Sequence, residues 1–187
     1  MEEDRLIQRI LQGETELFSQ FVTEHRSKVF HTALGLLHSR HDAEDITQDV
    51  FLEAFRALAT FRNDSKIATW LYRITVNRSL NLLKKKKRSA FIQSFDQLFS
   101  ATAKDVELIN DQTPTSQESM EEAQQLDILH ATIDKLPENQ RIAFTLNKYE
   151  ELSYAEIAEV MKISVSAVES LIFRARRSVI SRIERIK

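Results

Sequence analysis

Two glycines (Gly13 and Gly35) and two prolines (Pro114 and Pro137) are all the backbone punctuation that this 187-residue chain carries. Sandwiches, barrels and βαβ folds need turn residues between many short elements, because few residue types take up tight-turn geometry at low cost. So sparse a supply sets those architectures aside and leaves no glycine-rich loop to cradle a phosphate. An all-α protein remains. The absence of cysteine excludes a disulfide framework, a thiolate zinc site and a cysteine nucleophile, and it suits a reducing compartment. Glu2, Glu3 and Asp4 follow Met1 where a signal peptide would be basic and then apolar. The longest apolar runs fall far short of a membrane span. The expectation is a cytoplasmic protein with no membrane insertion.

Helical periodicity runs to about residue 88. Leu6, Ile7, Ile10 and Leu11 form a short stripe that Gly13 ends, and Leu17, Phe18, Phe21, Val22, Val29, Ala33, Leu36 and Leu37 recur along a long helix. A third helix is expected from about Asp42 to Ala59, with Ile46, Val50, Ala54 and Leu58 inward and Asp42, Glu44 and Asp45 at its N-terminus, where negative charge is favoured. A turn at Asn63, Asp64 and Ser65 precedes a fourth helix that carries Trp70, Leu71, Ile74, Leu80 and Leu83 and ends in Lys84 to Arg88. Periodicity then fades into a polar, acidic stretch with apolar points at Phe91, Ile92, Phe95, Leu98 and Phe99, read as a flexible linker. A second helical unit follows Pro114. The expected division is two small helical domains, residues 1–90 and 114–187, joined by the acidic linker 91–113.

A net charge of −2 taken alone speaks against a nucleic-acid partner. Resolved along the chain it does not. Residues 61–88 hold 9 basic residues and 1 acidic, and residues 164–187 hold 6 and 2, whereas 1–60 hold 6 and 11 and 89–136 hold 2 and 9. Two basic elements thus alternate with acidic ones, as when a polyanion-binding footprint shares a chain with surfaces for other partners.

Residues 152–177, LSYAEIAEVMKISVSAVESLIFRARR, read as a helix-turn-helix. Ser153 and Glu156 form a capping box, and Ala155, Ile157, Ala158 and Met161 make a short helix whose alanines permit close approach. Lys162 to Ser164 supply the turn. The next helix starts at Ser164 or Ser166, with Val165, Val168, Ile172 and Ala175 inward. Its outward face is Ser166, Ala167, Glu169, Ser170, Phe173, Arg174 and Arg177, the length and polarity that a recognition helix in a major groove requires.

Three ordered segments, DAEDITQDVFLEAFRAL, FRNDSKIATWLYRITVNRSLNLL and LPENQRIAFTLNKYEELSYAEIAEVMKISVSAVESLIFRARR, together resemble the extracytoplasmic-function sigma factors of bacteria, group IV of the sigma-70 family. The likeness covers nearly the whole chain except the linker. It implies a non-catalytic promoter-specificity subunit, with no catalytic residue, metal or cofactor. The implied partners are core RNA polymerase (β′ coiled coil and β flap), promoter DNA as duplex and as single strand, and an anti-sigma factor. Polymerase contact would fall on Asp45, Gln48, Asp49, Leu52, Glu53 and Arg56. The minus-ten element, melted and read as single strand, would meet Phe61, Asn77 and the loop Arg62, Asn63, Asp64, Ser65 and Lys66 around a flipped base. Trp70 is nearby, and Arg73, Arg78, Lys84 and Lys85 would meet phosphates. The outward face of the last helix would read the minus-thirty-five duplex. The acidic linker would thread toward the polymerase channels as a nucleic-acid mimic.

Three residues depart from the family pattern: Ile67 stands where an aromatic residue is commoner, and Glu169 and Leu171 stand where relatives commonly carry basic residues. Glu169 either accepts a hydrogen bond from a cytosine amine or completes a capping box with Ser166. Trp70 is either core, since it repeats with Ile74 at helical spacing, or a stacking platform. The competing functional reading is a stand-alone helix-turn-helix regulator with a sensing or dimerising N-terminal part, which has no need of the second basic segment at 61–88. A metal enzyme built on His38, His41, Asp42, Glu44 and Asp45 is set aside, because the two histidines straddle an expected helix break at Ser39 and Arg40 and no second ligand group is in view.

Overall fold

The computed structural model describes residues 2–61, 65–99 and 117–185, and all regular structure among them is helical. Helix α1 (Glu2–Leu11) leads through a 3-10 turn at Thr15–Leu17 into α2 (Phe18–Leu37). His38 ends α2 in the left-handed region at φ 53°, its N–H on the Leu34 carbonyl at 2.8 Å. The next residue, Ser39, caps α3 (Arg40–Ala57) by accepting from the Asp42 N–H at 3.3 Å. The expected break thus falls between His38 and Arg40. A 3-10 turn at Leu58–Thr60 leads to α4 (Ile67–Phe99), followed by α5 (Gln117–Asp134), α6 (Glu138–Tyr149), α7 (Tyr154–Met161) and α8 (Val165–Glu184).

Helix α4 does not end at Arg88. Residues 89–99 contain neither glycine nor proline, and a loss of amphipathic order is no stop signal without a breaker, so the helix continues to Phe99. The expected linker therefore begins as helix, and residues 100–113 lie outside the described residues.

The first core joins Leu6, Ile7 and Ile10 of α1, Phe21, Val29 and Ala33 of α2, Ile46, Val50 and Ala54 of α3, and Ile67, Leu71 and Ile74 of α4. A second core crosses between the two helical units. Leu36 of α2 and Tyr72, Val76 and Leu80 of α4 are buried with Ile142 and Leu146 of α6, Ile157 of α7 and Val168 and Ile172 of α8. Each such side chain removed from water contributes about 1.5 to 3 kcal/mol, so the closed arrangement has a substantial apolar basis. Helix α4 serves both cores because it is apolar on more than one side. Phe91 takes no buried place in this closure, being 70% exposed, and the side chain of Phe95 lies outside the described residues.

Gly35 lets α2 meet α6. A Cβ there would lie 2.9 Å from Thr145 Cγ2 and 3.0 Å from Tyr149 Cδ2, and the Thr145 hydroxyl donates to the Gly35 carbonyl at 3.3 Å. Gly35→Ala gains about 1 kcal/mol of helix propensity but forces the Thr145 and Tyr149 side chains to move away, at about 1 to 3 kcal/mol. The variant is expected to hold the closed form less tightly, read as a larger radius of gyration in solution scattering with unchanged helix content by circular dichroism.

Candidate nucleic-acid and polymerase interfaces

Helix α3 buries Ala43, Ile46, Thr47, Val50, Phe51 and Ala54, so its opposite side is presented outward. Asp45, Gln48, Asp49, Leu52 and Arg56 are exposed there. Glu53 is half-buried and ion-paired with Arg78 of α4. Sequence reading missed Phe55. It is 46% exposed next to Leu52 at 55%, and its ring meets Phe18 edge-on at 4.9 Å. Two large apolar side chains among carboxylates make a mixed surface of the kind that docks a partner helix. The signal was their displacement from the Ile46, Val50, Ala54 stripe.

Phe61 leaves the 3-10 turn in an extended conformation and sets its ring 5.2 Å from that of Trp70 at 42°. Both rings are half-buried and pack on the first core. Trp70 thus packs on the core, as the first of its readings expects, and its ring also backs Phe61. Ile67 is 2% exposed and anchors the first turn of α4 in the core. Ser65 is half-buried and Lys66 exposed, while Arg62, Asn63 and Asp64 lie outside the described residues. From Trp70 the spacing of Arg73, Asn77 and Lys84 keeps one helical stripe, and Arg78 and Lys85 flank it. Asn77 and Lys85 are exposed.

Three cations of this surface are held by the second unit. Lys66 Nζ lies 3.5 Å from Glu156, Arg73 donates from Nη2 to the Glu159 carbonyl at 2.7 Å, and Lys84 Nζ lies 3.2 Å from Glu138. Lys86 pairs with Asp42. Burial pushes the Asp42 carboxyl up, but Lys86 and Ser39 hold it below its ordinary value.

The same closure buries polar groups. Tyr72 donates to Glu150 at 3.2 Å. Burial pushes the Tyr72 phenol well up, and the Glu150 charge adds to this. Burial likewise lifts the Glu150 carboxyl to about 7, against the opposing pull of Tyr72, Thr32 and Lys28. At the other end His38 stacks on His130 at 4.0 Å and 7°, and its Nδ1 lies 3.4 Å from Asp134, which Arg141 also reaches at 3.3 Å. His38 thus belongs to the junction of the units. Among the described residues no three histidine, cysteine or acidic side chains form a metal-binding group, and no helix is long and apolar enough to cross a membrane.

In the helix-turn-helix, the capping box of Ser153 and Glu156 is formed on both sides, and Lys162 makes the turn at φ 54°. Ser164 caps α8 by accepting from the Ala167 N–H at 3.2 Å. This excludes one of the two readings of Glu169, the capping box with Ser166, since Ser166 lies inside the first turn and its Oγ is 3.1 Å from the Ser164 hydroxyl. Val165, expected inward, is 49% exposed, while Val168, Ile172 and Ala175 are buried. Ser166, Glu169, Ser170, Phe173, Arg174 and Arg177 are exposed and Ala167 is half-buried. Arg174 folds back to donate to the Ser170 carbonyl at 3.1 Å, and Arg176 donates to Asn147 of α6 at 2.9 Å.

The family description Sigma-70 region 2 matches residues 21–89, and Sigma-70, region 4 matches residues 126–179. The RNA polymerase sigma-H factor of Pseudomonas aeruginosa is 36% identical over 183 residues, which span 95% of this chain and 92% of that protein. The ECF RNA polymerase sigma-E factor of Escherichia coli K12 is 35% identical over 183 residues, 96% of this chain and 93% of the other. Among solved structures, CnrH in complex with the cytosolic domain of CnrY aligns over 97% of each chain with a TM-score of 0.69 at 23% identity, a likeness of fold.

Proposed function

The chain belongs to the extracytoplasmic-function sigma factors of the sigma-70 family, non-catalytic subunits that direct RNA polymerase to promoters, and from that membership we propose how its surfaces divide the work. The exposed face of α3, Asp45, Gln48, Asp49, Leu52 and Arg56 with Phe55 added, meets the β′ coiled coil. Glu53 acts from the rim because Arg78 occupies it. Carboxylates and an amide steer and hydrogen-bond a basic helix, while Leu52 and Phe55 supply apolar contact.

Phe61 and Trp70, with the loop up to Lys66, form the pocket edge for a base captured from the melted minus-ten strand, and Arg73, Asn77, Arg78, Lys84 and Lys85 track its backbone. The observation that carries this reading is the α4 stripe itself, a run of cations and an amide ending at a paired aromatic. A stand-alone regulator has no use for it. Ser166, Ala167, Glu169, Ser170, Phe173, Arg174 and Arg177 read the minus-thirty-five duplex.

In the closed form Glu156, the Glu159 carbonyl and Glu138 compete with phosphate for Lys66, Arg73 and Lys84. The closed form is thus a resting state, and polymerase binding parts the two units. A protein antagonist of the anti-sigma kind acts by holding them together, and the protein works in the cytoplasm, where polymerase and promoter are. Purified protein added to core RNA polymerase is expected to open a cognate promoter. Duplex binding by the free chain with no measurable affinity for core polymerase would overturn this and favour the regulator.

A further inference from the structure

We propose that Glu169 selects a cytosine in the minus-thirty-five duplex by accepting a hydrogen bond from its major-groove amino group, an inference that rests on α8 being the recognition helix. Glu169 is exposed, and the N-terminal cap is made by Ser164. It has no hydrogen-bond or ion-pair partner among the described residues. The two nearby guanidinium groups do not neutralise it: Arg174 is turned back onto the Ser170 carbonyl and Arg176 is tied to Asn147.

Position gives the carboxylate access to bases. It stands in the second turn of α8, in the N-terminal part of the helix that lies deepest in a major groove. Ser166, Ala167 and Ser170 beside it are short, so the helix can approach closely. Phe173, one turn on along the same side, is 65% exposed.

Chemistry then narrows the choice of base. An ionised carboxylate only accepts hydrogen bonds, and inside a groove walled by phosphates it is repelled unless a donor meets it. The major groove offers two such donors, the amino groups of cytosine and adenine. Adenine sets its N7 acceptor beside its amino group, which opposes a second carboxylate oxygen. Cytosine sets a C–H there instead. Guanine and thymine present acceptors and are rejected.

The test uses the full chain bound to core RNA polymerase and a promoter library randomised across the minus-thirty-five element. Wild type is expected to enrich cytosine at one position, and changing that cytosine to thymine should weaken binding by roughly five- to a hundred-fold. Glu169→Ala should flatten preference at that position alone. Glu169→Gln should move it toward adenine, which an amide can bond twice. Should Glu169→Ala instead tighten binding to every sequence alike with preferences unchanged, the carboxylate merely repels phosphates and the inference is overturned. A wild-type library without any enriched minus-thirty-five position overturns the assignment of α8 as well, so the two failures are distinct.

Discussion

Phe61→Ala is expected to lower the rate of promoter opening by roughly ten- to a hundred-fold while leaving duplex binding by the C-terminal unit close to wild type. The magnitude follows from stacking: an aromatic platform under an unpaired base contributes about 1 to 3 kcal/mol. Phe61 is placed for this, since it leaves the 3-10 turn extended, with Trp70 behind its ring at 5.2 Å. It also packs on the first core, so loss of the side chain costs some stability too. Phe61→Leu separates the two effects. Leucine retains most of the packing and lacks the π face, so it should fold like wild type and open promoters nearly as poorly as alanine. Fluorescence of 2-aminopurine placed in the minus-ten element reads opening directly. Wild-type opening by the leucine variant would assign Phe61 to the core alone.

Local rules accounted for much of this molecule. The Ser153 and Glu156 capping box, the break at Ser39 and the inward Ile46, Val50, Ala54 stripe each depend on residues within a turn or two of one another, and the structure has all three. What escaped depends on partners distant in the chain. Tyr72, Val76 and Leu80 look like an ordinary widening of an apolar face, and nothing local says that their neighbours include Ile157 and Ile172 of the second unit. Gly35 reads as a weak point in a helix until Thr145 and Tyr149 are seen against it. The cation assignments met the same difficulty, because Lys66, Arg73 and Lys84 are basic by sequence and occupied in space. At Glu169 the capping alternative was excluded locally, by which serine caps the helix.

The equilibrium between closed and open forms is expected to depend on pH through Glu150. This residue ends α6 in the second unit, and its surroundings come from the first: Tyr72 on α4, which donates to Oε2, and Thr32 and Lys28 on α2. Oε1 is buried without a hydrogen-bond partner, so the charged form lacks the donors that two carboxylate oxygens require. Once the units part, the carboxyl returns to its ordinary 4.5, whereas closed it stands near 7. The closed form therefore holds an extra proton between those values. Its stabilisation is fully present below pH 4.5, declines as pH rises toward 7 and is flat above. Partial exposure of the group reduces the effect, leaving roughly a ten-fold fall in the ratio of closed to open chains. The other titrating groups at the junction act with the opposite sign. Burial and the neighbouring His38 hold His130 below its ordinary value, so its contribution to closure grows as pH rises. Asp134 is held low by His38 and Arg141 despite its burial, so it matters only in acid. A chain without cysteine accepts one introduced dye site per unit, and energy transfer between them reports closure directly. Wild type should open progressively from about pH 5 to 7.5, and Glu150→Gln should stay closed across that range. Equal opening in both proteins would transfer the pH dependence to another group and leave Glu150 a passive part of the interface.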